Sequence, residues 1–361
     1  MDHVIGFLSS LIVLGLLIIV HELGHLLVAR MSGVRVLRFS IGFGPQLFTW
    51  TKGHTEYAVS AIPLGGYVKM AGEQRSEQTA APWEYLSKPA STRASIVFAG
   101  PFVNYLVSFV LLWIVCLVGF PVLVPTIGRV IDHSPAATAG LQVGDHLVEV
   151  DGHRVTTWDE MTEMIHNAPD RPIAVLLQRG AETHRLLVTP EPGRGQDLFG
   201  RSKAGIGIGP AGESTAQRYG PLAALRQTLQ VQRRQLEQTF TGLALVFSGK
   251  LPLKDSVAGP IRIMTETSAF MRLGLVPALL WMSALSLSLS IFNVLPIPIL
   301  DGGHLFFLLI EQLRGRPVSI GVQERSTQVS FVLLMALIVF VCINDLDQIG
   351  LLGKIASWVR R

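Results

Sequence analysis

Two histidines and a glutamate lie close together in the segment His21-Glu22-Leu23-Gly24-His25, which has the pattern HExxH. On a helix, residues four apart share a face, so both imidazole rings can bind one metal ion. Neutral imidazole is a good zinc ligand, and the glutamate beside it can take a proton from an attacking water molecule. The spacing therefore predicts zinc-dependent hydrolysis, with His21 and His25 as ligands and Glu22 as the catalytic base.

The residues on both sides of this motif are apolar. Ile18-Ile19-Val20 precede it and Leu26-Leu27-Val28 follow it. Ionisable groups inside a bilayer are costly unless they are paired or bound to a metal, so they usually serve a function. The setting therefore favours a metal site over the alternative, in which three polar residues only stabilise a contact between helices.

The third ligand must come from a distant part of the chain, because catalytic zinc has three protein ligands and one open position. Asp301 is the only acidic residue in or at the end of the apolar stretch Leu273 to Leu300. If both helices enter from the same side, the first reaches His21 after about 17 residues, or roughly 26 Å. Asp301 lies near the far end of its own stretch, at a similar depth. The alternative is that Asp301 only caps a helix end in water.

Residues that disfavour a helix surround this aspartate; they are Pro296, Pro298, Gly302 and Gly303. They predict a broken helix, which membranes tolerate where the break lines a site. His304 falls three residues after Asp301, on the same helical side. We expect it to support the site from outside the ligand set or to be merely structural.

The composition is typical of a membrane protein. Of the 361 residues, 49% are hydrophobic and 16% are charged, whereas soluble domains carry about 25% charged residues. The mean hydropathy of +0.44 agrees, and a soluble cytosolic enzyme is therefore disfavoured. The net charge is only +4 and the basic residues are scattered, which argues against nucleic-acid binding. Cys116 and Cys342 both lie in apolar runs, so no disulfide framework is expected.

A transmembrane helix needs about 20 apolar residues, and the chain contains four stretches of about this length. They are Val4 to Ala29, interrupted by His21-Glu22, then Ala94 to Phe120, Leu273 to Leu300 and Ser326 to Asn344. The first has no basic start and no small-residue cleavage site, so we expect an anchor rather than a cleaved signal peptide. The connection from Arg30 to Arg93 carries eight basic residues. The positive-inside rule places it in the cytoplasm, with the N-terminus outside.

Between the second and third stretches, from Pro125 to about Pro192, short alternating runs and glycine turns predict a β-rich module. The segment Ser134 to Gly152 resembles a PDZ domain. Leu141 to Gly144 would be the loop that cradles a peptide end, and Trp158 to Ala168 the flanking helix; such domains bind extended peptides at a sheet edge. The alternative is a generic small β-rich domain.

An amphipathic helix is predicted after the module, because apolar residues recur there at helical spacing. They are Leu222, Leu225, Leu229, Leu236, Phe240, Leu243 and Phe247. This helix either lies on the membrane surface or packs on the module.

HExxH in the first span, Leu300-Asp301-Gly302 in the third and a PDZ domain between them resemble the site-2 protease family of intramembrane zinc proteases. Further matching segments are Gly42 to Pro45, Ile62 to Met70, Gly100 to Asn104 and Val257 to Ile261. The resemblance covers almost the whole chain. Some family members carry two tandem PDZ domains, whereas this sequence shows one, which leaves the gating of substrates open.

The resemblance implies that His21, His25 and Asp301 bind Zn²⁺ and that Glu22 is the general base and acid. It also implies that the Gly42 to Met70 region is a membrane-associated β-hairpin that pairs with an unwound substrate; the alternative is an ordinary cytoplasmic hairpin. The implied substrate-binding residues are Gly42, Phe43, Gly44, Gly65, Gly66, Tyr67 and Asn293. Asn293 could instead form a bond between helices, and Asn104 is a weaker candidate of the same kind.

We therefore expect a polytopic α-helical membrane protein with four transmembrane helices, a membrane-associated β-hairpin region and an inserted extracytoplasmic PDZ domain of α+β type. The expected divisions are residues 1–120 for the first two helices, 121–212 for the PDZ domain, 213–272 for the amphipathic helix and linker, and 273–361 for the last two helices.

The expected function is that of a zinc endopeptidase of the bacterial inner membrane. Its partners would be the lipid bilayer, single-span substrates of the anti-sigma factor or signal-peptide-remnant type, and peptide ends at the PDZ groove; nucleic acid is not expected. Two alternatives remain: a protease that cuts soluble or loop segments at the membrane surface, and a PDZ-bearing scaffold with a vestigial metal site.

Overall fold

The structure is a computed structural model and describes residues 2–196 and 202–348. The chain forms two compact units. The first, here called the helical unit, comprises Met1–Val115 and Arg226–Arg361, and the second, the β-rich unit, is Cys116–Leu225.

The helices of the described residues follow in chain order. They are α1 (Asp2–Met31), α2 (Ala90–Val118), α3 (Pro135–Thr138), α4 (Trp158–His166), α5 (Pro221–Phe247), α6 (Leu253–Ser256), α7 (Pro260–Arg272), α8 (Leu275–Val294), α9 (Asp301–Arg314) and α10 (Ile320–Gln348).

The strands are numbered in the same way. They are β1 (Val36–Lys52), β2 (Thr55–Met70), β3 (Phe120–Leu123), β4 (Ile127–Val130), β5 (His146–Val150), β6 (His153–Arg154), β7 (Ile173–Arg179), β8 (Glu182–Val188), β9 (Glu191–Gln196), β10 (Ser202–Gly205), β11 (Ile208–Pro210) and β12 (Ser214–Gln217).

Among the described residues, four helices are long and apolar enough to cross a membrane, which confirms the predicted number. They are Leu8–Met31, Ala90–Val118, Leu275–Val294 and Ile320–Asp347. α1, α2, α7 and α8 share a buried cluster built on Val13, Leu17 and Leu285. This packing holds the helix that carries HExxH against its neighbours.

The third span ends earlier than the apolar run that predicted it, at Val294 instead of Leu300. Leu295 has an extended backbone, as expected for a residue that precedes a proline. The glycines predicted to break the helix instead lie in the first turn of α9. A Cβ on Gly302 would lie 2.1 Å from the carbonyl oxygen of Leu295, so these glycines let α9 approach the broken segment.

β1 and β2 form an antiparallel sheet with an irregular register. Residues 38–41 pair with residues 66–69 on one side and with residues 56–59 on the other, so both strands fold back on themselves and the region is more than a simple hairpin. Gly42 has a φ of +88° at the bend of β1, a conformation that favours glycine. The base of the sheet packs on α1 through a cluster that includes Leu26, Phe39 and Met70.

The β-rich unit contains a four-stranded antiparallel sheet in the order β6-β5-β7-β8. α4 buries Trp158, Met161 and Ile165 in a core that also contains Leu147 and Leu177. Thr157 caps the start of α4, because its hydroxyl oxygen accepts the N–H of Glu160. These elements are those that the PDZ resemblance predicts.

The prediction that Leu141 to Gly144 cradles a peptide end stays a prediction, and three backbone N–H groups of this loop have partners within the unit. The N–H of Leu141 donates to Ala136 O at 3.0 Å, and that of Gly144 donates to Ile127 O at 2.8 Å. The N–H of Gln142 donates to Oδ2 of the buried Asp145 at 2.9 Å. These three amides are therefore engaged within the unit.

The amphipathic helix α5, which belongs to the helical unit from Arg226 onward, contacts α2 through a polar side chain. Gln232 is buried, and its Nε2 donates to Oγ of Ser108 in α2 at 3.1 Å. The apolar side chains of Leu229 and Phe240 in α5 are more than half exposed. α5 thus packs on a transmembrane helix, an arrangement that neither sequence alternative foresaw.

Candidate metal centre

The two histidines of the HExxH motif face the same point from α1. Their Nε2 atoms are 3.2 Å apart and their rings are nearly perpendicular, with an angle of 83°. Each residue is only 8% exposed. Nδ1 of His25 lies 2.9 Å from the carbonyl oxygen of Ile96, to which it can only donate. In the neutral ring, Nε2 of His25 then carries a lone pair that points into the centre.

Asp301, the first residue of α9, meets these histidines although 276 positions separate it from His25 in the chain. Its Oδ2 lies 2.9 Å from Nε2 of His21 and 3.5 Å from Nε2 of His25. The break after α8 turns the chain so that α9 starts here. Three residues from two distant segments thus present a cluster of donor atoms within 4.8 Å of one another.

The donor set fits zinc. Zinc–nitrogen bonds of about 2.0–2.1 Å in a tetrahedron place neighbouring ligand atoms about 3.3 Å apart, close to the 2.9–3.5 Å between these atoms. Oδ2 of Asp301 is buried and accepts no hydrogen bond in the described structure. Lone pairs that face one another in an apolar setting repel unless a cation lies between them.

At Gly24 and Gly100, α2 packs so closely on α1 that even a Cβ would not fit. A Cβ on Gly24 would lie 2.4 Å from the carbonyl oxygen of Ala99. A Cβ on Gly100 would lie 2.4 Å from Nε2 of His25 and 2.8 Å from Cε1 of His21. The two glycines therefore allow the backbone of α2 to form one wall of the centre.

Glu22 lies on the other side of the centre, beside the end of β2. A Cβ on Gly66 would lie 3.2 Å from Cγ of Glu22. A cavity of about 700 Å³ reaches the three donor residues and is also lined by Glu22, Tyr67 and His304. Glu22 can thus reach a water molecule that enters through this cavity.

The predicted substrate-binding residues fall into two groups. Gly66 and Tyr67 lie at the centre, and Phe43 stacks on Tyr67 with 6.2 Å between the ring centroids. Gly65 provides room for Phe43, whose Cε2 would lie 2.4 Å from a Cβ there. Gly42 and Gly44 lie in the bend of β1 and do not line the cavity.

Asn293 differs from the residues of β1 and β2. It is the penultimate residue of α8 and is half-buried. It does not line the cavity, and within the described residues its side chain has no hydrogen-bond partner. Its role in substrate binding stays a prediction.

Sequence reasoning missed two features of the site. Gly100 belongs to a matching segment, and its missing side chain also makes room for both histidines. Arg93 is one of the basic residues of the connection, and it also forms an ion pair of 2.5 Å with Glu311 that joins the start of α2 to α9. The sequence signals for this ion pair were an arginine next to an apolar run and a glutamate within a run of helical period.

Comparisons with known proteins find relatives over most of the chain. The model of peptidase family M50 matches residues 9–337. A protein of Rhizobium meliloti (strain 1021) whose name describes a zinc metalloprotease is 36% identical, and the alignment covers 94% of this chain and 96% of the relative. The zinc metalloprotease RasP of Geobacillus kaustophilus is 28% identical, with 95% and 98% covered. The regulator of sigma-E protease RseP of Salmonella typhimurium is also 28% identical, with 94% and 98% covered.

Among solved structures, the PDZ domain of the SdrC-like protein of Listeria monocytogenes is 26% identical. The match covers 25% of this chain and 85% of that one, with a TM-score of 0.20. The family match spans most of the chain, including both segments that supply the metal centre. The chain therefore belongs to peptidase family M50 and is a multi-pass membrane zinc metalloendopeptidase.

Proposed function

We propose that this protein cleaves peptide bonds within the transmembrane segments of single-span membrane proteins in the bacterial inner membrane. One observation carries the proposal: His21, Glu22 and His25 lie on α1, which is long and apolar enough to span a membrane, and Asp301 joins them from the start of α9. A protease of the membrane surface has no need to bury these groups, which are costly at bilayer depth. The position of the centre therefore favours substrates that are themselves in the membrane.

In the proposed mechanism His21, His25 and Asp301 hold zinc. Zinc, when bound, acts as a Lewis acid that polarises the scissile carbonyl and activates water. Glu22 takes the proton from the attacking water and delivers it to the leaving amine. The ion pair between Arg93 and Glu311 keeps α9, and with it Asp301, in place against α2.

The end of β2 would hold the substrate. Residues 66–69 pair with residues 38–41 on one side, and Gly66 borders Glu22. A helical substrate must give up its own hydrogen bonds before its carbonyl can be attacked, and in a membrane these bonds need replacement. An extended substrate added to the free edge of residues 66–69 would regain them next to the catalytic base.

The β-rich unit would be an extracytoplasmic PDZ domain that excludes bulky ectodomains, so that only trimmed substrates reach the centre. The charge distribution of the sequence supports this orientation. One similar protein is named a regulator of sigma-E protease, which supports anti-sigma factors as substrates here, with signal-peptide remnants as a second class. The engaged amides of Leu141, Gln142 and Gly144 favour exclusion of bulk over capture of a peptide end at that loop.

The test is cleavage of a single-span model substrate by the detergent-purified protein, with product masses determined by mass spectrometry. Glu22→Gln should keep zinc but lose cleavage, because only the proton acceptor is removed. Asp301→Ala should lose both. Cuts within the apolar segment that are absent from both variants would support the proposal.

The alternatives give different results. Cuts confined to the flanks of the apolar segment would favour a protease of the membrane surface. Wild-type protein that neither cleaves nor holds zinc when purified without chelators would favour a scaffold. Full turnover by Glu22→Gln would refute the mechanism.

A further inference from the structure

Asn104 is a fully buried residue of α2 and lies one turn after Gly100. Its side-chain nitrogen is 3.4 Å from Nδ1 of His21, and its Oδ1 has no hydrogen-bond partner in the described structure. No other polar contact of this side chain is found among the described residues. The carboxamide of Asn104 therefore faces a proposed zinc ligand and little else.

The protonation of the His21 ring determines whether Nδ1 bonds to the oxygen or to the nitrogen of the Asn104 carboxamide. If His21 binds zinc through Nε2, which faces Asp301, then Nε2 carries the lone pair and Nδ1 carries the hydrogen. Metal-binding histidines almost always donate that second N–H to an acceptor, which fixes the tautomer and the ring orientation. For His25 the acceptor is the carbonyl oxygen of Ile96. For His21 the group at this position is Asn104.

We propose that Asn104 is a positioning residue that orients the zinc ligand His21: its Oδ1 accepts the Nδ1–H of that ring. A half-turn about the Cβ–Cγ bond exchanges the two ends of the carboxamide and brings the unpartnered oxygen to the ring. α2 then supplies the second partner of both histidines, a backbone carbonyl for one and a side-chain carbonyl for the other. The inference rests on the proposed role of His21 as a zinc ligand.

Hydrogen bonds from α8 hold the backbone of α2 at Asn104 in place beside His21. Oγ of Ser286 in α8 donates to the backbone carbonyl of Asn104 at 2.8 Å. One turn further along α2, Oγ of Ser283 donates to the carbonyl of Ser108, also at 2.8 Å. These bonds attach the backbone of α2 to α8 and leave the carboxamide free for the histidine.

The experiment measures zinc affinity of the full-length protein in detergent by competition with a chelator. Asn104→Leu has a similar size but no acceptor and should weaken zinc binding about 10- to 100-fold. Asn104→Asp retains an acceptor at the same position and should bind zinc within a few-fold of the wild type. Ser286→Ala is the matched control, because it removes a bond to the backbone of Asn104 and leaves the side chain intact.

A second readout separates positioning from packing. The visible spectrum of the Co²⁺-substituted protein should change in Asn104→Leu and be restored in Asn104→Asp, because the orientation of one ligand changes. Thermal unfolding of the metal-free proteins should be alike. If Asn104→Leu does not fold, Asn104→Ala replaces it with the same expectation.

Two results would overturn the inference: wild-type zinc affinity in Asn104→Leu, or equal loss in Asn104→Leu and Asn104→Asp, which would indicate a packing role. His21→Ala is measured in parallel. If it holds zinc as tightly as the wild type, the proposed ligand set itself fails, and that failure is distinct from a failure of Asn104 alone.

Discussion

Gly100→Ala tests the architecture of the metal centre with the smallest possible change. The added Cβ would lie 2.4 Å from Nε2 of His25, 2.6 Å from its Cε1 and 2.8 Å from Cε1 of His21. Ordinary contacts begin at 3.4 Å, so the nearest ring atom must move by about 1 Å. Metal ligands tolerate deviations of only about 0.2 Å. His25 therefore cannot keep its position as a ligand.

The expected result is a loss of zinc affinity on the order of 100-fold, equivalent to about 2.8 kcal/mol. Cleavage of a single-span substrate should fall at least as far, because the variant lacks bound metal at ordinary zinc concentrations. The assay is chelator competition on the detergent-purified protein, followed by cleavage at an ordinary zinc concentration. Thermal unfolding of the metal-free form shows whether the variant is folded.

Gly321→Ala is the matched control. Gly321 lies in α10, and a Cβ there would meet nothing within 4 Å. Alanine favours a helix over glycine by up to about 1 kcal/mol, so the control should be as stable as the wild type or more stable, with unchanged zinc affinity. Zinc binding by Gly100→Ala within a few-fold of the wild type would refute the close packing of α2 on the histidines.

Three further predictions concern other parts of the molecule. Gly66→Ala brings a Cβ to 2.8 Å from the carbonyl oxygen of Ser40 and should keep zinc but lower cleavage by on the order of 100-fold; parallel loss of zinc would contradict it. Arg93→Leu leaves Glu311 unpaired in a largely buried site and should destabilise the protein by about 3–5 kcal/mol, measured by thermal unfolding in detergent against Lys88→Leu. Burial tends to raise the pKa of Asp145, but hydrogen bonds from Arg179 and Gln142 outweigh it and lower that pKa. Its stabilising contribution is therefore complete above the unfolded-state pKa of about 3.9 and is lost as the pH falls through the lower folded-state pKa. Hydrogen exchange of the β-rich unit should show this acid loss in the wild type and much less of it in Asp145→Asn, and equal acid sensitivity would count against the ion pair.

Local patterns predicted the residues of α1 and the long apolar helices. The spacing of His21 and His25 follows from the helical period alone, so their shared face needed no tertiary information. The end of α8 was harder, because hydrophobicity continues to Leu300 while Pro296 removes a backbone donor. Because of this proline the helix ends at Val294, although the apolar pattern continues.

The loop from Leu141 to Gly144 shows a second limit of a matching segment. A sequence segment does not reveal whether its N–H groups are free, because their partners Ala136, Ile127 and Asp145 are assigned only when the β-rich unit folds. The register of β1 and β2 is similar. Period-two alternation cannot show that residues 38–41 have partners on both sides.

The sequence by itself determined that His21, Glu22 and His25 share one apolar helix, and it singled out Asp301 as the acid available to join them. Only the tertiary structure decided that Asp301 comes within 3.5 Å of both histidines and that Gly100 and Asn104 border the same rings. The physical reason is the distance along the chain over which each kind of interaction acts. Helical periodicity acts over a few residues, whereas contacts between α1, α2 and α9 depend on how whole helices pack, which one local pattern does not specify.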